Sequence, residues 1–191
     1  MVIGIKEQDR VVLAFSSFDG SALVSIDDLS AAENVGLWKV KGNPHTVMAC
    51  GVLSPESDAF RYEEDIFKGE INYKRLIEEI VPNMEKFAED KDYIGDEKGW
   101  FDEFFIAQND RLFKILGEHI VNEIDDAAVL GESRCEDISK GILHVTRGEP
   151  TLERIRKVFE LTAGIFQYDC YPISVMDTLA GKIRVLTRND D

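Results

Sequence analysis

The chain has 191 residues and a mass of 21.6 kDa, with 44% hydrophobic and 31% charged residues. This composition is typical of a globular protein and excludes a largely disordered one. The length corresponds most simply to one domain, residues 1–191, long enough to enclose a sizeable core. The formal net charge of −15 argues against nucleic acid and anionic membranes as partners, because both bind basic surfaces.

Transmembrane and secretion signals are not found in the sequence. No apolar run approaches the roughly 20 residues that span a bilayer, and no signal-peptide pattern is present. We therefore expect a cytoplasmic protein that makes no membrane contact.

The cysteines and acidic pairs do not form a recognisable metal site. Cys50, Cys135 and Cys170 are odd in number and far apart, which favours neither a disulfide framework nor a zinc site. Asp27-Asp28 has no further ligand at a defined spacing and is predicted to be a solvated loop. Because no dinucleotide, P-loop, zinc-protease or serine-hydrolase motif occurs either, we expect no cofactor and no metal.

The first stretch of the chain predicts a β-hairpin. Val2–Ile5 and Val11–Phe15 are rich in β-branched residues and flank a charged turn, Lys6–Arg10. Further strands are predicted at Ala22–Ile26, Val35–Val40, Thr46–Val52, Phe104–Gln108, Arg111–Ile115, His119–Ile124, Tyr171–Met176 and Lys182–Thr187. The strand Thr46–Val52 is almost wholly apolar, so we expect it to be covered on both faces, with Cys50 as a buried packing residue.

Two pairs of helices separate these strands. The first pair is predicted from Ser54-Pro55-Glu56 to about Phe67, and from about Asn72 to Ala88, where Pro82 should kink or split the helix. In the second pair, Ser133 and Glu136 form a capping box and Thr151 caps the last helix. Two sheets stacked face to face, with a helix pair outside each, bury the apolar faces economically. The predicted fold is therefore α+β, a four-layer αββα sandwich.

Several short motifs resemble those of a known family. Ile3–Lys6 and Val11–Ser17 resemble the opening of proteasome-type N-terminal-nucleophile hydrolases, which begin with threonine and continue through I-V-G-I-K-like and V-V-L-A-x-D-S strands. Phe105–Ile115 is similar to the family's central hairpin, Leu130-Gly131 to its L-G-S-G, and Asp169-Cys170-Tyr171 to its D-x-Y-S-G. The resemblance implies the same αββα sandwich, assembled as a homo-oligomer.

The family's chemistry implies a particular set of residues. Its first residue supplies a hydroxyl or thiol, and its own α-amine acts as the general base because an α-amine pKa near 8 leaves much of it neutral. A lysine, two aspartates and a serine support this centre. Aligned on Gly4, Met1 falls one position after the nucleophile. The other equivalent positions are Ser16 for the first aspartate, Gly36 for the lysine, Glu132 followed by Ser133 for the serine of L-G-S-G, and Asp169 for the second aspartate. Only Asp169 keeps the family residue.

Three functions remain open. The first is a proteasome-like protein without peptidase activity that acts as a structural or binding subunit, with itself and with a possible protein partner. The second is a hydrolase with an internal nucleophile (Ser16, Ser17 or Ser133) and His45, His119 or His144 as the base. The third is an active amidohydrolase or peptidase whose true terminus is not represented in this sequence. Whether residues 1–17 line an empty cleft or are packed shut distinguishes the first from the others.

Overall fold

Two five-stranded antiparallel sheets form the centre of the molecule. The computed structural model describes residues 1–16, 36–50, 65–90, 103–116 and 120–189. Within these ranges the strands are β1 (Val2–Lys6), β2 (Val11–Phe15), β3 (Leu37–Lys39), β4 (Thr46–Cys50), β5 (Phe104–Gln108), β6 (Arg111–Leu116), β7 (Ile120–Ile124), β8 (Ala127–Leu130), β9 (Ile173–Asp177) and β10 (Arg184–Leu186). The first sheet has the order β10-β9-β2-β1-β8 and the second β3-β4-β5-β6-β7.

The helices of the described residues lie in two groups along the chain. The first group comprises α1 (Tyr73–Arg75), a π-helical turn (Leu76–Ile80) and α2 (Val81–Asp90). The second group comprises α3 (Ser133–Val145) and α4 (Thr151–Phe166). None of the helices in the described ranges has the length and apolar character required to cross a membrane.

Alternation along the strands divides the core into three layers. In β4, Met48 faces the helical segment 73–90 while Val47 faces the other sheet. In β1, Ile3 faces α3 and α4 while Val2 faces the sheet interface. Because successive side chains of a strand point to opposite faces, each sheet has one face against the other sheet and one face under helices. The predicted four-layer αββα sandwich is confirmed, and the strand containing Cys50 is covered on both faces as expected.

The predicted first hairpin is confirmed. Val2 lies opposite Phe15 and Lys6 opposite Val11, so the five residues of β1 pair with the five of β2. On its other side β1 pairs antiparallel with β8, with Val2 opposite Leu130. Strand β8 was not predicted, because a run of four apolar residues after Asp125-Asp126 is too short to indicate a strand.

The helix containing Pro82 begins where the sequence predicts. The side chain of Asn72 accepts a hydrogen bond of 3.0 Å from the backbone N–H of Arg75 and caps α1. Pro82 has no backbone N–H, and its ring would collide with the carbonyl four residues earlier in a regular α-helix. The π-helical turn directly before it, in which the N–H of Val81 bonds to the carbonyl of Leu76, splits the segment there.

Three predictions about helix ends are wrong. Residues 65–67 form a turn, so the first predicted helix does not reach Phe67, and the rest of that prediction lies in residues 51–64, outside the described ranges. Helices α3 and α4 begin at Ser133 and Thr151, and the capping positions are Glu132 and Pro150, neither of which makes a side-chain cap bond. The Glu136 side chain does not turn back to the helix start because two lysines bind it. The predictions at Ala22–Ile26 and Asp27-Asp28 also lie outside the described residues.

An ion pair ties the second sheet to α3. Lys114 of β6 lies opposite Phe105 and so points into the space between the sheets. Its Nζ is 2.8 Å from Oε1 of Glu136, and the side chains are 12% and 15% exposed. Burial alone raises the pKa of Glu136, but hydrogen bonds from Lys114 and Lys140 outweigh it and hold that pKa below its usual value of 4.5.

We expect this pair to contribute to stability in a pH-dependent way. A carboxyl whose pKa is depressed by folding stabilises the protein above its unfolded-state pKa, and that contribution is lost as the pH falls through the folded-state value. Glu136→Gln should therefore lower the free energy of unfolding by about 1–3 kcal/mol at pH 7. The difference from wild type should shrink as the pH falls below 4.5, as followed by urea denaturation at a series of pH values. The exposed Glu78→Gln serves as the control, and a pH-independent difference would show that the charge of Glu136 is not responsible.

Candidate functional site

Met1 continues the β1–β2 ladder by one residue. The nitrogen of Met1 donates to the carbonyl of Ser16 at 2.8 Å, and the N–H of Ser16 donates to the carbonyl of Met1 at 3.0 Å. The pair therefore has the two reciprocal bonds of an antiparallel hydrogen-bonded pair. Met1 is 8% exposed and belongs to the core between the first sheet and helices α3 and α4.

The Met1 side chain rests on two buried hydroxyl groups. Oγ of Ser139, from α3, donates to Sδ of Met1 at 3.1 Å and lies 2.9 Å from Oγ1 of Thr162, from α4. Both hydroxyl residues are fully buried. Because each hydroxyl needs a partner in this apolar layer, the Ser139–Thr162 contact satisfies them jointly and fixes the two helices beneath Met1.

The predicted position Ser16 is also closed. Its side chain is buried, with the residue 1% exposed, and Oγ donates to the carbonyl of Cys170 at 2.6 Å. The neighbouring Asp169 turns outward, and its Oδ1 accepts from the backbone N–H of Tyr171 at 3.0 Å and from Arg188 at 3.1 Å. The backbone at 169–170 thus lies beside Ser16, but the carboxylate of Asp169 is engaged at the surface.

Gly36 has no space for a longer side chain. Its φ is +70°, and a Cβ placed on it would lie 3.0 Å from the carbonyl oxygen of Cys50 and 3.1 Å from the Phe15 ring. Since the obstruction on one side is backbone, a lysine at this position would require the chain to shift. The nearest described lysine along the chain, Lys39, packs over Gly181, beyond the Asp177 end of β9. Asp177 lies opposite Val12 and Ser174 opposite Phe15, so Lys39 is at the other end of the sheet from Met1.

Helix α3 begins beside Met1. The Cβ position of Gly131 is 3.4 Å from Cγ of Met1, so the residues just before α3 contact the start of β1. Glu132 and Ser133 follow and are both exposed. The structure therefore brings Met1, Ser16 and the residues adjoining Glu132 and Asp169 to one end of the first sheet. Gly36 lies near this group through Phe15, whose ring would be 3.1 Å from a Cβ at position 36.

Among the residues that the structure describes, Ser16 and Ser133 form no catalytic pair with His45 or His144. Ser133 and His144 lie on one straight helix, eleven residues apart, which corresponds to about 16 Å along its axis. Nδ1 of His45 is 3.1 Å from the carbonyl of Thr178, which follows β9 at the end remote from Met1. Ser17 and His119 lie outside the described residues. Among the described residues, no hydrogen bond joins any of these serines to a histidine.

The cysteines near Met1 are poor nucleophiles. Burial raises the pKa of the Cys170 thiol to about 11, aided by the charges of Glu160 and Asp169. Burial also raises the pKa of Cys135, with the Glu132 charge adding to the effect and the amino terminus opposing it. A thiol reacts as its thiolate, so both groups are inactive near neutral pH.

Four residues that contact or surround Met1 and Ser16 were not predicted as site residues: Ser139, Thr162, Cys135 and Cys170. Cys135 and Thr162 lie among apolar residues on the buried faces of their helices. A small polar residue on an apolar stripe is a weak signal that a buried polar partner exists, but it does not identify the partner.

Comparison with known proteins identifies the fold and no closer relationship. No protein-family model matches the chain, and no curated protein matches it. Among solved structures, 464 chains match, including Thiobacillus denitrificans BPH in complex with epoxomicin, with a TM-score of 0.70 and 11% sequence identity. That match covers 92% of this chain and 96% of the other chain. At such low identity the likeness is one of fold: an αββα sandwich of the proteasome-subunit-like, N-terminal-nucleophile hydrolase type.

Proposed function

We propose that this chain is a proteasome-like protein without peptidase activity, acting as a structural or binding subunit of a homo-oligomer in the cytoplasm. The observation that carries the proposal is the packing of Met1. Its main chain is paired with Ser16, and its side chain rests on Ser139 in the core under α3 and α4. The start of β1 is thus filled by protein atoms.

The chemical parts that the family resemblance implies are missing or engaged in other contacts. A methionine thioether cannot attack a carbonyl as a hydroxyl or thiolate does. Ser16 replaces an aspartate and donates its hydroxyl to the carbonyl of Cys170. Gly36 replaces a lysine at a position where Phe15 and Cys50 leave no room for one. Nucleophile and base act as a unit in covalent catalysis, so these replacements together support the absence of turnover.

We expect the purified protein to hydrolyse no peptide. Incubation with a panel of fluorogenic peptides should give the same signal as buffer. Incubation with epoxomicin and with a terminal-threonine-directed covalent inhibitor should leave the intact mass unchanged. Ser16→Ala and Ser133→Ala are the matched variants. Turnover that persists in Ser16→Ala and disappears in Ser133→Ala would reveal an internal nucleophile, and a covalent adduct on Met1 or Val2 would overturn the proposal.

The thiols provide a second check on the packing around Met1. Because Cys50, Cys135 and Cys170 are all buried, a thiol reagent must wait for local opening. We expect labelling by iodoacetamide between pH 7 and pH 9 to be about 100-fold slower in the native protein than in urea. Peptide mapping identifies the modified residue. Fast native labelling of Cys135 or Cys170 would indicate an open cleft beside Met1.

The outer face of α3 and α4 supports the oligomeric part of the proposal. Val145, Leu161, Ile165 and Tyr168 are large hydrophobic residues on or adjoining these helices that remain exposed; Leu161 is 54% and Ile165 59% exposed. Residues 133–166 contain six lysines and arginines and five aspartates and glutamates, a net charge of +1, so the remaining 157 residues carry −16. Charges more than about 8 Å apart are screened at physiological salt, so copies of this acidic protein meet with least repulsion through this face.

Two exposed glycines lie in the same helices. A Cβ on Gly141 of α3 or on Gly164 of α4 would meet nothing within 4 Å. Glycine in a helix interior costs about 0.5–1 kcal/mol relative to alanine, and no contact within the described residues accounts for that cost. Close approach by a second copy would account for it.

Light scattering of the wild-type protein should therefore give a mass well above 21.6 kDa. The double change Leu161→Glu, Ile165→Glu places two charges in the apolar face and should reduce that mass to half or less. Ile77→Glu is the matched control, since Ile77 is an exposed isoleucine (43%) in the other helical layer. A wild-type monomer at high concentration would remove the oligomeric part of the proposal and leave the fold intact.

A further inference from the structure

In the part of the chain that the structure describes, strand β8 is the last strand of the first sheet, and one of its edges has no neighbouring strand. The reciprocal bonds between Met1 and Ser16 fix the direction of every backbone group in β1: residues 1, 3 and 5 face β2, and residues 2, 4 and 6 face β8. The bond of 2.7 Å from the N–H of Lys6 to the carbonyl of Asp126 agrees with this alternation. In β8 the backbone groups of Ala127 and Val129 therefore point away from β1, toward the side where the described sheet ends.

Free sheet edges attract further strands, and proteins protect them with charged side chains, bulges or very short strands. Within the described ranges the sheets end at β10, β8, β3 and β7. Three of these strands carry a charged residue of their own: Arg184 in β10, Lys39 in β3 and Glu123 in β7. Strand β8, with the sequence Ala-Ala-Val-Leu, has no polar side chain. Of these four edge strands, β8 therefore has the sequence that protects least against the addition of another strand.

A lysine from the opposite sheet covers this edge. Lys114 lies in β6, and its Nζ donates to the carbonyl of Val129 at 3.0 Å, one of the groups that point away from β1. The same Nζ bonds to Glu136 of α3 at 2.8 Å, and Glu136 also binds Lys140 at 2.7 Å. The ammonium group is thus held on both sides, by the edge carbonyl and by a carboxylate.

We propose that Lys114 and Glu136 form a latch that closes the edge of β8 against strand addition by a second copy of this chain. The occupant that the latch excludes is another β8, because two antiparallel β8 strands related by a two-fold axis would join two first sheets into one. A lysine at this edge opposes that pairing in two ways. Its Nζ is hydrogen-bonded to the Val129 carbonyl, which a second strand would need as an acceptor. A second copy would also bring its own buried ammonium group close to that of the first copy.

Lys114→Met tests the latch, because methionine keeps most of the apolar stem and removes the ammonium group. We expect this variant to associate beyond the wild-type assembly, as a mass at least twice that of wild type in light scattering. We also expect the amides of Ala127 and Val129 to exchange with deuterium about 100-fold more slowly, because pairing engages them. Arg111→Met is the matched control, since Arg111 is on the same strand and its ion pair with Glu123 lies away from β8.

Adding Ala127→Pro to Lys114→Met should restore the wild-type mass, because proline removes an edge donor without breaking the β1–β8 bonds. If Lys114→Met does not fold, Glu136→Gln is used in its place. Lys114 is then held less tightly because the carboxylate is gone, and the mass should again increase, by less than in Lys114→Met. The proposal is overturned if the folded variant keeps the wild-type mass, or if the association survives Ala127→Pro. The result is independent of the wild-type oligomer and of peptidase activity.

Discussion

Strand β1 is enclosed on every side, and the positions of the other elements depend on it. Its two edges are paired with β2 and β8, and its two faces lie against the second sheet and helices α3 and α4. At Gly4 a Cβ would lie 2.9 Å from Cδ2 of Leu112, so the two sheets come into contact at a residue without a side chain. A side chain at position 4 would have to displace the end of the Leu112 side chain, because the interior is close-packed. The glycine therefore allows Leu112 of the second sheet to pack directly against the backbone of β1.

The same enclosure determines what the start of the chain can do. Met1 cannot turn toward solvent without breaking two ladder bonds and leaving Ser139 with one partner fewer. An N-terminal-nucleophile site requires the opposite arrangement, an exposed nucleophile at the end of a strand beside a cationic group. In this protein, small polar side chains and backbone carbonyl groups form hydrogen bonds with one another in the interior at this end of the sheet. The fold alone therefore does not decide the function, which depends on the residues at this end of the sheet.

Local sequence signals predicted most of the strands. Val2–Ile5 and Val11–Phe15 are rich in β-branched residues, and their pairing is local, so the first hairpin follows from the chain itself. Pro82 identified the place where the helix departs from α geometry. Strand β8 is too short and too uniform to be recognised, and it forms because β1 offers a complementary edge. At the site, the proximity of Met1 and Ser16 follows from hairpin register. Cys170, Ser139 and Thr162 reach them from more than 120 residues away, and no local pattern specifies such contacts.

The pairing of β1 with β8 also has a consequence for synthesis of the chain. The first hairpin is complete once residue 16 has been made, but its partner strand ends at Leu130, 114 residues later. At roughly 5–20 residues per second, the outer edge of β1 stays without its partner for on the order of ten seconds. Throughout that interval an apolar hairpin has an unpaired edge. Because strand pairs form within microseconds, that edge is open to pairing with a wrong strand for far longer than such pairing needs.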